Sequence, residues 1–160
     1  ISNARHVLEI GTFTGYSATC LAYGLPEGGH VDTLEINDEL EDITREGWER
    51  AGVSDRITLH IGDACQTLAS FKDRIYDLAY IDANKREYCK YYELVLPLVR
   101  PGGVILADDV LLGGKVYDDG ASLDKQTRGL IAFNDMIAKD PRVEVVILPI
   151  RDGLSIIRKK

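Results

Sequence analysis

A chain of 160 residues is the size of one domain with a single substantial core, and 45% hydrophobic against 28% charged residues is the balance of a globular protein. The net charge of −7 argues against a nucleic-acid partner, which calls for a basic face, and suits a cationic ligand or a metal ion. No apolar run is long enough to cross a bilayer, so no membrane partner is expected. The 3 scattered cysteines lack metal-ligand spacing and read as reduced thiols of a cytoplasmic protein.

The chain opens on Ile1, and its only methionine is Met136. The first strand begins almost at once, so a longer protein with a segment ahead of it is expected. His6 to Ile10 reads as a buried strand running into a turn that carries Gly11 and Gly15, then a helix over about Tyr16 to Leu25. A dinucleotide fingerprint wants G-x-G-x-x-G, and Phe13 occupies its second glycine position. What remains, Glu9-x-Gly11-x-x-x-Gly15, favours S-adenosylmethionine (SAM), which has no pyrophosphate to cradle. An ordinary strand-to-helix turn with two glycines fits the stretch equally.

Further along, Val31 to Ile36 reads as a second strand, followed by a helix that Asn37 or Asp38 caps and Gly52 stops. The third strand is Ile57 to Ile61, and a short helix follows Gly62-Asp63-Ala64. Asp77 to Ile81 is the fourth, feeding a helix to about Val99; Pro101-Gly102-Gly103 then turns the chain into a fifth, Val104 to Ala107. A Gly- and Asp-rich loop, Leu111 to Asp124, leads to a helix ending near Lys139. Val143 to Ile150 and Leu154 to Arg158 form a hairpin about Arg151-Asp152-Gly153. Alternating strands and helices predict one α/β domain over residues 1–160, a mostly parallel sheet closed by an antiparallel hairpin. Ligands of such a sheet sit beyond the carboxyl ends of its strands.

Acids recur at those ends. Glu35 closes the second strand at about the offset where a carboxylate accepts from ribose hydroxyls. Asp63 can cap its helix and border an adenine with Ala64. Asp82 ends the fourth strand, and Asp108 and Asp109 end the fifth. If these strands are neighbours, about 4.8 Å apart, the carboxylates converge and repel unless a hard divalent cation joins them. Successive strand residues point to opposite faces, so Asp108 and Asp109 can share an ion only if the strand has already turned. One of them capping a loop is an equal reading. Lys85 opens a helix whose dipole disfavours its charge and so eases its use as a base; a solvent-facing lysine is the plain alternative.

Taken together, VLEIGTFTGYS, the acid in TLEIN, GDA, DLAYIDANK and PGGVILADDVLLGG resemble the cation-dependent O-methyltransferases, a family that includes catechol and caffeoyl-CoA O-methyltransferases and small bacterial members. The resemblance implies a Rossmann-like class I methyltransferase fold with a seven-stranded sheet. It assigns Glu9, Gly11, Thr12 and Ser17 to the methionine and ribose side of SAM, Glu35 to the ribose, and Asp63 and Ala64 to the adenine. Asp82, Asp108 and Asp109 match the metal ligands, with Asp109 where the family usually has Asn, and Lys85 matches the proposed base. The implied metal is Mg²⁺, with Mn²⁺ or Ca²⁺ as substitutes. Also implied are an aromatic vicinal diol as acceptor, a homodimer, and helices ahead of the first strand that this sequence lacks. The competing readings are a SAM methyltransferase that uses another acceptor without metal, a NAD-linked oxidoreductase and a SAM-binding module without catalysis.

Overall fold

A computed structural model describes residues 3–118 and 124–160. Seven strands form one sheet in the order β3-β2-β1-β4-β5-β7-β6. They are β1 (His6–Ile10), β2 (His30–Glu35), β3 (Ile57–Ile61), β4 (Tyr76–Ile81), β5 (Val99–Ala107), β6 (Val143–Leu148) and β7 (Leu154–Lys159). The first five pair in parallel, while β7 runs antiparallel to both β5 and β6. The helices are α1 (Tyr16–Gly24), α2 (Glu41–Ala51), α3 (Ala64–Ser70), α4 (Tyr88–Val95) and α5 (Lys125–Lys139). This is the mostly parallel α/β sheet with a closing antiparallel hairpin that the alternation of elements predicts, with the seven strands that the resemblance implies.

Strand alternation divides the core in two. Leu8 and Ile10 of β1 join Ala79, Ile81, Ile105 and Ile157 in a cluster covered by α3, α4 and α5. Val7 faces the other way and packs with Ala18 and Ala22 of α1 and Trp48 of α2. Glu9 shares that second face by parity and sits in register between Thr33 and Tyr80. A carboxylate placed there is fully buried.

Two boundaries differ from the expected ones. Pro101-Gly102-Gly103 lies inside β5 instead of preceding it, because the strand pairs with β4 at Val99, slips register, and pairs again from Val104. Gly103 fits the irregularity: a Cβ there would lie 2.6 Å from Val99 and 2.9 Å from the Asp77 carbonyl. The helix after β4 is broken into 3₁₀ turns at Lys85–Glu87 and Leu96–Leu98 on either side of α4. Of the Gly- and Asp-rich loop, residues 119–123 lie outside the described residues.

Away from the strand ends, Asp32 of β2 accepts from His60, Arg74 and the Tyr76 hydroxyl at 2.6–2.9 Å. Burial alone would raise its carboxyl, but these donors hold it at about 2. His60 is thereby a structural partner that ties β3 to β2.

Candidate active site

The glycine turn is shaped by contacts on both sides. Gly11 has φ +102°, and a Cβ there would lie 2.0 Å from the Asp82 carbonyl oxygen, so glycine lets β1 and β4 end side by side. The Gly11 and Thr12 amides donate to the Leu34 carbonyl at 3.0 and 3.2 Å. Helix α2 holds the far end of the turn. The Trp48 indole donates to Gly15 O at 3.1 Å, and the Thr44 hydroxyl donates to Phe13 O at 3.1 Å. Trp48 therefore packs, as its place on α2 predicts, and also fixes the turn. Phe13, standing where a dinucleotide fingerprint has glycine, adopts the left-handed conformation (φ +49°) and is exposed. A bulky residue in that region costs roughly 1–2 kcal/mol.

Two adjoining clefts open at this turn, sharing Gly11, Phe13, Asp82 and Ala83 as walls. One, of about 330 Å³, is lined by Glu35, Asp63 and Ala64. The other, of about 760 Å³, is lined by Thr12, Ser17 and Tyr80. Glu35 accepts from the amides of Phe13 (2.7 Å) and Asn37 (2.9 Å), which orients its carboxylate at the mouth of the first cleft. Asp63 caps α3 by accepting from Gln66 N at 2.9 Å, so its capping role is filled while it lines the cleft.

Glu9 lies beneath the turn. One carboxyl oxygen accepts from the Thr33 hydroxyl, which is paired in turn with the Thr12 hydroxyl at 2.6 Å; the other oxygen has no hydrogen-bond partner among the described residues. Burial pushes the Glu9 carboxyl up to about 7, against the pull of Ser17 and Thr33 and with help from the charges of Asp82 and Glu35. The folded protein then holds a proton that the unfolded chain releases above its ordinary carboxylate pKa of 4.5. Stability should fall as pH rises from about 4.5 and level off beyond about 7, by roughly 3 kcal/mol in all. Urea unfolding at pH 5 and pH 8 checks this: the wild type should lose stability over that interval, and Glu9→Gln should lose much less. Equal losses in the two proteins would remove Glu9 as the cause.

The acids of β4 and β5 meet around a lysine. Ile81 pairs with Ala107, and the next amides continue the ladder, Asp108 N donating to Ile81 O at 3.0 Å and Asp82 N to Ile10 O at 2.9 Å. The strand turns directly after Asp108, because Asp109 is left-handed at φ +57°. Asp and Asn are among the residues that tolerate this conformation, so Asp109 meets the same backbone demand as the Asn that the resemblance implies there. Lys85 Nζ lies 2.7 Å from Asp82 Oδ1 and 3.3 Å from Asp109 Oδ2. Asp108 is engaged elsewhere: its Oδ2 accepts from the Tyr80 hydroxyl at 2.7 Å and its Oδ1 from the Asp109 amide at 2.8 Å.

Lys85 is only 8% exposed, against the solvent-facing alternative. Its Nζ also donates to the Tyr88 hydroxyl at 2.7 Å and lies 3.3 Å from the Asp108 carbonyl. Two further residues, Tyr80 and Gly129, shape the site without having been singled out for it in the sequence, and Tyr88, which reads equally as an acceptor contact or as packing, is fully buried there. A Cβ on Gly129 would fall 2.5 Å from the Lys85 carbonyl, so this glycine lets α5 press on the lysine's turn. Tyr80 sits two residues before Asp82 on the same strand face, and Tyr88 lies three after Lys85. Those spacings were the available signal.

Comparison with known proteins gives the family. The sequence model of the O-methyltransferase family matches residues 1–160. The chain belongs to the SAM-dependent O-methyltransferases of the caffeoyl-CoA and catechol type. This methyltransferase is 40% identical over 157 residues to the mouse "Catechol O-methyltransferase domain-containing protein 1", covering 96% of the chain and 60% of that protein. It is 37% identical over 163 residues to "Probable caffeoyl-CoA O-methyltransferase 2" of Dictyostelium discoideum, covering 99% and 71%. Among solved structures, the O-methyltransferase of Bacillus cereus in complex with SAH superposes with a TM-score of 0.93 at 38% identity, covering 99% of this chain and 76% of that one. Family membership replaces the NAD-linked oxidoreductase alternative. Among the described residues, no helix is long and apolar enough to cross a membrane.

A divalent cation is implied by the family resemblance, and the donor set can be tested for it. Among the described residues no three Asp, Glu, His or Cys side chains gather as a metal cluster. Yet Asp82 and Asp109 converge on one positive charge and offer partly exposed hard oxygen donors (41% and 42%), the kind that a hard cation takes. Asp108 lies beside them with its oxygens bonded to Tyr80 and the Asp109 amide.

Proposed function

We propose that this chain transfers the methyl group of SAM to one hydroxyl of an aromatic vicinal diol, with a divalent cation of the Mg²⁺ class held by Asp82, Asp108 and Asp109. The observation that carries the reading is the shared Lys85 ammonium. Two carboxylates from adjacent strand ends face one ammonium, and one of them, Asp82, belongs to the wall common to both clefts. The ion, when bound, would supply Lewis acidity toward the diol oxygens and fix their orientation.

The chain's own groups do the rest. Glu35, Asp63 and Ala64 would hold the nucleoside in the smaller cleft. Gly11, Thr12 and Ser17 would hold the methionine part in the larger cleft, with the buried Glu9 supporting Thr12 through Thr33 instead of touching it. Lys85 Nζ would take the hydroxyl proton. Holding nucleophile and methyl carbon in line can supply roughly 7–11 kcal/mol of the barrier, so positioning outweighs that proton transfer. The Asp108–Tyr80 bond favours one alternative, a cation-free SAM methyltransferase in which Asp108 is structural.

An acceptor panel tests the substrate class. Full-length protein with SAM and Mg²⁺ should methylate catechols and leave the matching monophenols and dimethoxy compounds unmethylated. Equal rates on monophenols would show that the second hydroxyl is not used and would defeat the diol reading.

A further inference from the structure

Lys85 has two kinds of partner. Its anionic set, Asp82 Oδ1 and Asp109 Oδ2 at 2.7 and 3.3 Å, is partly exposed, and Asp82 lines both clefts. Its neutral set, the Tyr88 hydroxyl and the Asp108 carbonyl at 2.7 and 3.3 Å, lies in the protein. The neutral set is rigidly built. Tyr88 is fully buried, packs edge-on against Phe133 with ring centroids 5.3 Å apart, and has Asp108 O at 3.0 Å and Ile81 O at 3.2 Å to accept its proton. With its own proton committed to a carbonyl, the phenol oxygen is left as an acceptor for the lysine.

We infer that Lys85 is the resident counter-cation of the acidic strand ends: its ammonium pairs with Asp82 and Asp109, and a divalent cation binds by taking those carboxylates from it, leaving the lysine held by Tyr88 and the Asp108 carbonyl. The inference rests on the proposed cation site and concerns what opposes the ion there. Two carboxylates brought together by β4 and β5 repel one another unless a positive charge lies between them. The lysine supplies that charge. An incoming ion must break two charge-assisted contacts and then sit near the ammonium, so the lysine sets the ion's affinity lower than the carboxylates alone would give.

Three single substitutions in the full-length protein test this, with Mn²⁺ binding measured by electron paramagnetic resonance in the absence of SAM and acceptor. Lys85→Met keeps the length of the side chain and removes the competitor; Mn²⁺ should bind at least about tenfold more tightly. Tyr88→Phe keeps the buried ring but removes half of the neutral set, so Mn²⁺ should bind severalfold more weakly. Lys90→Met removes the same charge from an exposed position of α4, where the side chain is 69% accessible, and should change the affinity less than twofold. Melting curves taken with and without Mn²⁺ supply a second readout: Lys85→Met should melt lower than wild type without the ion and gain more from adding it.

If the wild type binds Mn²⁺ and Lys85→Met binds it no more tightly, the displacement is wrong while the cation site stands. If Lys90→Met tightens binding as much as Lys85→Met, the effect is general charge and the inference is also overturned. If Tyr88→Phe leaves the affinity unchanged, the retreat onto Tyr88 is wrong. Should the wild type not bind Mn²⁺ at all, the proposed cation site fails and this inference falls with it.

Discussion

Replacing Asp82 by alanine should lower methyl transfer by on the order of 10³-fold or more while SAM still binds within a few fold of wild type. Asp82 is where the argument is most concentrated. Its backbone amide continues the β1–β4 ladder through Ile10 O, its carbonyl lies against Gly11, and its carboxylate holds Lys85 at 2.7 Å. The backbone contacts survive truncation to alanine, so the clefts should keep their shape. The variant lacks the carboxylate that faces the proposed ion and leaves Lys85 with Asp109 alone. Rates with Mg²⁺ and calorimetric titration with SAM separate these effects. Turnover near wild type in Asp82→Ala, with EDTA present, would remove Asp82 from the chemistry.

Gly11→Ala should destabilise the fold by about 3–5 kcal/mol, combining strain at positive φ with overlap against backbone. The added Cβ would lie 2.0 Å from the Asp82 carbonyl oxygen, and that atom belongs to a strand end that cannot swing aside as a side chain can. The melting temperature should drop by about 6–20 °C for a domain of this size. Gly47→Ala is the control. Gly47 lies within α2 with nothing near its missing Cβ, so alanine there should stabilise by about 0.5–1 kcal/mol. A Gly11→Ala protein that melts with the wild type would mean that β1 and β4 do not approach as closely as described.

The fold was legible because its signals are local and repeat. Apolar strand runs bounded by glycine, with an asparagine or aspartate at several helix starts, give the parallel sheet and its closing hairpin directly. The Pro101-Gly102-Gly103 stretch misled because the same residues that make a turn also make a bulge. Only the partner strand decides between them, and β4 is more than twenty residues away in the chain.

The acids at the strand ends were legible for the same reason: each follows an apolar run. What they touch was not. Whether Asp108 faces Tyr80 or a shared ion depends on the neighbouring strand, and the burial of Lys85 depends on Gly129 and Tyr88 pressing on its turn. A charged residue at the start of a helix looks solvent-facing until the element packed over it is known. Glu9 shows the converse. A lone acid in an apolar strand is conspicuous in sequence, and its fully buried position beside Thr33 gives it a titration that no exposed glutamate would have.

Stripping and restoring the ion is the most direct check on the whole account. The full-length enzyme, cleared of metal with EDTA and then dialysed, should bind SAM yet leave a catechol unmethylated. Micromolar to millimolar Mg²⁺ or Mn²⁺ should restore the rate in the wild type and not in Asp82→Ala. Full methyl transfer by the stripped enzyme, unchanged by added cation, would contradict the claim that the aspartates of β4 and β5 do their work through a divalent ion.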